Sequence, residues 1–382
     1  MGFHEFSSPY DWSRIAAYKR TAKAAFGGMI DLSVGSPVDP VPDSVRKALA
    51  VAANDPNAYG YPATAGTADL RTAIAEWFSA TRNVDLQAIH ADVVPTVGSK
   101  EGVALMASLL HFGEDDVVVQ PKVSYPTYEI GTQLAGAQVL KVDDVADVAS
   151  WRNVPGVKAV WVNSPCNPTG EVYSAERMAG IVAAAREIGA VVLSDECYAL
   201  MQWRGATNSA DDDPLQSTPC ALRSDVCAGS AEGVLVLYSL SKQSNMAGYR
   251  TAFIAGDESL IASMSAYRKQ IGQIIPGPVQ AAMAAGLRDL ESVKVQHAHY
   301  RERLGVLVSA LRAYGYCTDM PDGALYVWVR AKSGDCWTDM EQLAKIGIIA
   351  SPGEFYGAPE CLRFSTTASD EAIASAAERL AR

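Results

Sequence analysis

From residue 43 to about residue 290 the chain alternates between two hydrophobic periods, and this alternation limits the folds open to it more than any other feature. Leu70, Ile74, Trp77 and Phe78 fall on one helical face, as do Met178, Ile181, Val182, Ala185 and Ile188. Between such stripes lie short apolar runs bounded by polar or turn residues: VVVQ (117–120), AVWVN (159–163), VVLS (191–194), VLVLYS (234–239) and TAFIA (251–255). Runs this short and rich in valine are buried strands, and they require a mostly parallel sheet with helices on both faces. The fold class is therefore α/β, with a large domain over residues 43–290.

A longer helix is expected near 291–313, where Val293, Tyr300, Leu304, Leu307 and Leu311 keep a three-to-four spacing. Beyond it the pattern becomes shorter and mixed, through ALYVWV (324–329) and CLRFS (361–365). Residues 291–382 are expected to form a smaller α+β domain together with residues 1–42.

Several function classes fall away. The net charge is −11, and the acidic residues are scattered except for Asp211, Asp212 and Asp213, which read as an exposed loop; no basic footprint for nucleic acid exists. Seven dispersed cysteines without a CxxC fit reduced thiols in a cytoplasmic protein. Cys166 and Cys197 read as small packing thiols. Neither a leader-like apolar region nor a run long enough to span a membrane is expected. The five histidines, His4, His90, His111, His297 and His299, form no HExxH pattern, so no metal centre is expected, and GxSxG is missing too.

In open α/β sheets ligands gather at the carboxyl ends of strands, and the unusual polar residues of this chain follow its predicted strands. AVWVN runs into SPCNPTG, with Asn163 and Asn167; VVLS runs into DECY, with Asp195 and Tyr198; VLVLYS runs into LSK, with Ser239, Ser241 and Lys242. Singly each has an ordinary explanation: NPTG is a turn, Asp195 a helix cap, Lys242 a solvated lysine. Together they meet the needs of pyridoxal phosphate, which requires an amine for a Schiff base, a carboxylate for its ring nitrogen, donors for its phenolate oxygen and an anion cradle. The turn VGSK (97–100), opening a helix that carries Val103, Leu105, Met106 and Leu109, places unpaired backbone N–H groups where a phosphate can bind.

In this order NPTG, SDECY and SLSK, with Arg250 eight residues after Lys242, resemble the signature of the class I/II aminotransferases of the fold-type-I pyridoxal phosphate family, over Gly35 to Arg363. The resemblance implies a seven-stranded large domain and a homodimer with a shared active site. It makes Lys242 the Schiff-base lysine, Asp195 the partner of the pyridinium nitrogen, and Tyr198 and Asn167 the residues on the phenolate oxygen. Ser239, Arg250, Gly98, Ser99 and Lys100 would surround the phosphate, Tyr125 would stack on the ring, and Tyr61 would reach the phosphate of the neighbouring subunit. Arg363, helped by Asn167 and the backbone at Gly35, would hold the substrate's α-carboxylate; read from the residues alone, Arg363 is a surface strand arginine.

Lys100 also stands where some bacterial relatives bind a distal substrate carboxylate; read from the residues alone, it adds positive potential near the phosphate. DLSVGSPVDPVP, YPATAGTADLR, SYPTYEIGTQLAGA and SPGEFYG resemble actinobacterial N-succinyldiaminopimelate aminotransferases, which implies glutamate as amino donor, 2-oxoglutarate as its product, and a role in lysine and diaminopimelate biosynthesis. An acidic amino-acid aminotransferase, a carbon–sulfur lyase using the same cofactor, and a cofactor-sensing regulator are the competing readings. The last would need a DNA-binding segment ahead of Gly35.

Overall fold

The structure, a computed structural model, describes residues 10–203, 215 and 218–382; Asp211, Asp212, Asp213 and His4 lie outside the described residues. Its centre is a sheet of seven strands: β1 (Ala91–Val97), β2 (Val117–Pro121), β3 (Gln138–Val142), β4 (Val157–Asn163), β5 (Val191–Asp195), β6 (Val234–Ser239) and β7 (Thr251–Asp257). Their spatial order is β1-β7-β6-β5-β4-β2-β3, with β7 antiparallel to both neighbours and the other pairs parallel.

All five apolar runs are strands, four of them extended by one or two residues at one end. β1 and β3 escaped the pattern because they are the two edges. Pro95 within β1 is tolerated there, where one side of the strand lacks a ladder partner. In β3, QVLKV, only Val142 is buried and Gln138 and Lys141 are exposed, so no continuous apolar run marks it.

Side chains alternate across the sheet as a period of two demands. Ala159, Trp161, Leu193, Leu235 and Leu237 face the helices Ser99–Leu109, Thr127–Leu134 and Glu258–Gln270. Val160, Val162, Val192, Val234 and Val236 face the opposite way, into the core shared with the helices Ala68–Trp77, Ala175–Glu187 and Gly277–Arg288. Thr67, Ser174 and Asp257 cap three of these helices by accepting from backbone N–H groups of the first turn.

A second core combines the helix Ile15–Ala24, the helix Cys336–Lys345 and a three-stranded antiparallel sheet of Ser351–Pro352, Cys361–Ser365 and Tyr326–Arg330. The helix Leu290–Ala313, close to the expected span, contributes Val293 to the first core and Tyr300 to the second. In the small sheet Ser365 pairs with Tyr326 and Arg363 with Trp328, so Arg363 and Tyr326 are diagonal neighbours on one face. Among the described residues no helix is long and apolar enough to cross a membrane.

Candidate active site

The carboxyl ends of β4, β5 and β6 lie side by side, and a cavity of about 410 Å³ opens over them. Its lining includes Gly35, Ser99, Lys100, Tyr125, Asn167, Asp195, Tyr198, Ser239, Lys242, Arg250 and Arg363, residues spread over more than 300 positions of sequence. Gly98 lies just behind it, at the start of the helix Ser99–Leu109. Tyr61 does not line it: this side chain is fully exposed.

Asp195 ends β5 and is buried. Its Oδ2 accepts from the Tyr128 hydroxyl at 2.8 Å and its Oδ1 from the Cys197 N–H at 3.2 Å. Tyr128 is held by stacking on Trp161, with centroids 4.4 Å apart. Burial pushes the Asp195 carboxyl above its ordinary range despite these donors, and among the described residues it has no cationic side chain as an ion-pair partner. A buried carboxylate so placed is stabilised by a cation brought in by a ligand.

Lys242 sits on the short helix Leu240–Gln243, whose N-terminus Ser239 caps by accepting from the Ser241 N–H. The Lys242 ammonium donates to the Gly35 carbonyl. Burial, with Arg363 and Arg250 nearby, lowers its pKa and so favours the neutral, nucleophilic amine. Ser239 also donates to Ser241 Oγ at 2.8 Å, so the neighbouring Ser241 hydroxyl, which lines the cavity too, is the more available of the two.

Arg250 has a left-handed backbone, φ 58°, and its exposed guanidinium lies against Gly98. A Cβ at Gly98, itself at φ 79°, would come within 2.7 Å of Arg250 Cζ. Glycine there lets the arginine reach the first turn of the helix, where backbone N–H groups and a fixed cation make an anion site. Lys100 extends from the same turn; it is exposed and forms no ion pair among the described residues.

Arg363 is buried rather than a surface arginine. It donates to Asn167 Oδ1 at 2.7 Å and to the Ser33 carbonyl at 2.8 Å, and its guanidinium carbon stands 4.0 Å from the Tyr326 ring centroid. Asn167 is fixed in turn by its N–H donating to Asn163 Oδ1 at 2.8 Å. Burial raises the Tyr125 phenol above its ordinary range, so Tyr125 is a neutral wall.

A family model for aminotransferase class I and II matches residues 27–380. The chain belongs to this family. The aminotransferase is 40% identical to a 4-dedimethylamino-4-oxo-anhydrotetracycline transaminase of Streptomyces rimosus, over 97% of this chain and 98% of that protein. It is 39% identical to a probable aminotransferase of Mycobacterium tuberculosis, over 97% of this chain and 84% of that protein. Among solved structures, a probable N-succinyldiaminopimelate aminotransferase from Thermus thermophilus superposes with a TM-score of 0.84 at 27% identity, over 97% of this chain and 99% of that one.

Pyridoxal 5'-phosphate is the cofactor of the family, and the donor set fits it. The aminotransferase pairs a depressed amine with a buried, cation-seeking carboxylate and an arginine at a helix N-terminus, around a cavity large enough for a small ligand. Cys166, whose thiol burial pushes up to about 11, is a packing residue and not a reactive thiolate.

Four aromatic residues of the aminotransferase site escaped sequence reasoning. Trp12, Tyr326 and Tyr356 line the cavity, and Tyr128 stands behind Asp195. Tyr326 is in a strand, Tyr128 in a helix and Tyr356 in a helical turn, and in each an aromatic looks the same whether it faces a core or a cavity. Trp12, in a segment with no strong periodicity, gave no signal.

Proposed function

We propose that the enzyme moves an amino group from glutamate to an oxo acid bearing a second, distal anion, with N-succinyl-2-amino-6-oxopimelate as the acceptor. The single observation behind the choice is Lys100, an exposed cation at the cavity lining with no ion-pair partner among the described residues. A distal carboxylate gives it one. The likeness to the Thermus thermophilus structure supports the same reading.

Bound pyridoxal phosphate supplies an aldehyde for amines and a ring that accepts electrons. The chain's own groups do the rest. Lys242 Nζ would hold the cofactor and, as a free amine, would take the proton from the substrate's α-carbon. Asp195 pairs with the ring nitrogen and keeps its proton in place. Tyr198 and Asn167 bind the phenolate oxygen, and Tyr125 stacks on the ring. Arg250, the Ser239–Ser241 hydroxyls and the backbone from Gly98 to Lys100 hold the phosphate. Arg363 grips the α-carboxylate beside Asn167 and the Gly35 backbone. The enzyme acts as a homodimer, each exposed Tyr61 reaching the phosphate site of the other copy.

Arg363→Lys keeps the charge but loses the two-pronged geometry. The expected result is a rise of about 10- to 100-fold in KM for both amino and oxo acid, the equivalent of one charged hydrogen bond. Steady-state kinetics on donor and acceptor would check it; an unchanged KM would remove Arg363 from the carboxylate site.

The function is tested by offering glutamate with N-succinyl-2-amino-6-oxopimelate, oxaloacetate and an anhydrotetracycline ketone in turn. The succinylated acceptor is expected to react fastest, and Lys100→Ala to slow that reaction by about tenfold while sparing a monocarboxylic acceptor. Fast turnover with oxaloacetate alone would instead favour an acidic amino-acid aminotransferase. Pyruvate from cystathionine without amino transfer would favour a lyase.

A further inference from the structure

The Tyr198 and Tyr326 hydroxyls are 2.7 Å apart in a buried hydrogen bond whose direction the geometry leaves free. We infer that Tyr326 is a positioning residue for transamination: its hydroxyl donates to Tyr198, which leaves the Tyr198 proton free for the cofactor's phenolate oxygen. The inference rests on the reading above that Tyr198 binds that oxygen.

A phenol has one proton to give. Were Tyr198 to donate to Tyr326, it would have nothing to offer the phenolate, and two acceptors would face each other in a buried site. With Tyr326 as donor every group is satisfied. Three contacts fix the donor. Pairing between the strands of the small sheet sets Tyr326 opposite Ser365, so its ring cannot slide along the strand. The Arg363 guanidinium lies 4.0 Å above that ring, and positive charge there favours electron density on the Tyr326 oxygen as its proton is shared outward. Gly35 stands against the hydroxyl end of the ring: a Cβ at that position would clash with the Tyr326 hydroxyl oxygen and meet the adjoining ring carbons at 3.1 Å, so the segment carrying the Lys242 acceptor packs directly on this tyrosine. Burial raises the Tyr198 phenol well above its ordinary range, so Tyr198 keeps its proton.

Tyr326 thus joins the arginine of the carboxylate site to the oxygen that governs the basicity of the lysine-linked cofactor, through a residue of the small sheet. The titratable and charged groups facing the pair are Cys197, Lys242, Arg363, Tyr356, Tyr125 and Tyr300. Burial holds the Cys197 thiol and the Tyr125, Tyr300 and Tyr356 phenols above their ordinary values, and Arg363 stays charged, so these five groups do not change charge near neutrality.

The experiment is a pH titration of visible absorbance on enzyme loaded with pyridoxal phosphate, for wild type, Tyr326→Phe, Tyr198→Phe and the double variant. Weakening donation to the phenolate raises the proton affinity of the lysine-linked cofactor. Tyr326→Phe is expected to raise it about 3- to 10-fold, Tyr198→Phe by more, and the double variant no further than Tyr198→Phe. Incorporating 3-fluorotyrosine at position 326, a stronger donor of the same shape, is expected to shift the titration the other way. A Tyr326→Phe titration matching wild type, with Tyr198→Phe shifted, would overturn the inference alone. Additive shifts in the double variant would overturn it too, since Tyr326 would then act independently of Tyr198. No shift in Tyr198→Phe would bring down the phenolate assignment and the inference with it.

Discussion

Lys242→Ala enzyme is expected to take up pyridoxal phosphate non-covalently, to show no lysine-linked visible absorbance, and to transfer amino groups about 10²- to 10⁴-fold more slowly than wild type. The magnitude is that of removing a positioned proton carrier, since Lys242 is the amine of the cavity lining with a depressed pKa. The spared affinity follows from the other proposed contacts: Arg250 with the helix N-terminus for the phosphate, and Asp195 for the ring, are untouched by the change. Borohydride reduction of wild type followed by peptide mapping supplies the complementary measurement. A cofactor adduct on another lysine, or full activity in the alanine variant, would overturn the assignment.

Why so much of the sheet could be read in advance is a matter of burial. β4, β5 and β6 are central, covered on both faces, and so written almost wholly in apolar residues that stop where the strand meets the cavity. Asn163, Asp195 and Ser239 close those runs, and the parallel register sets Asn163 opposite Asp195 and Asp195 opposite Leu237. The polar residue at the end of each run was therefore a coordinate as well as a letter. Edge strands lack this punctuation, as β3 with its exposed Gln138 and Lys141 demonstrates. The cavity walls supplied by the other core were illegible for a different reason: Tyr326 and Tyr356 reach the site only through the docking of the small sheet, a long-range event without local period. Arg363 was located by resemblance, and its burial between Asn167 and Tyr326 could not follow from CLRFS alone.

Behind the site lies the most deeply buried ion pair among the described residues, and it carries the second large expected effect. Arg82, at the end of the turn Phe78–Arg82, donates to Glu196 Oε2 at 2.5 Å, and both side chains are 0% exposed. Glu196 follows Asp195 directly; its Oε1 accepts from Ser194 Oγ at 2.9 Å and from the Ala221 N–H at 2.8 Å, while Arg82 also donates to the Thr218 carbonyl at 2.8 Å. The pair thus ties the strand end that aims Asp195 to the segment 218–221. Arg82→Met is expected to cost about 3–5 kcal/mol in chemical denaturation, because it strands a carboxylate where no water can reach it. Arg82→Met with Glu196→Gln should recover part of that loss, since an amide oxygen still accepts from Ser194 and Ala221 without a buried charge. A double variant no more stable than Arg82→Met would show that the cost lies in lost packing of the arginine stem rather than in the stranded charge. The same variants separate folding from function: if the pair holds Asp195 in place, Arg82→Met must also weaken cofactor retention, and the double variant must restore it in step with stability.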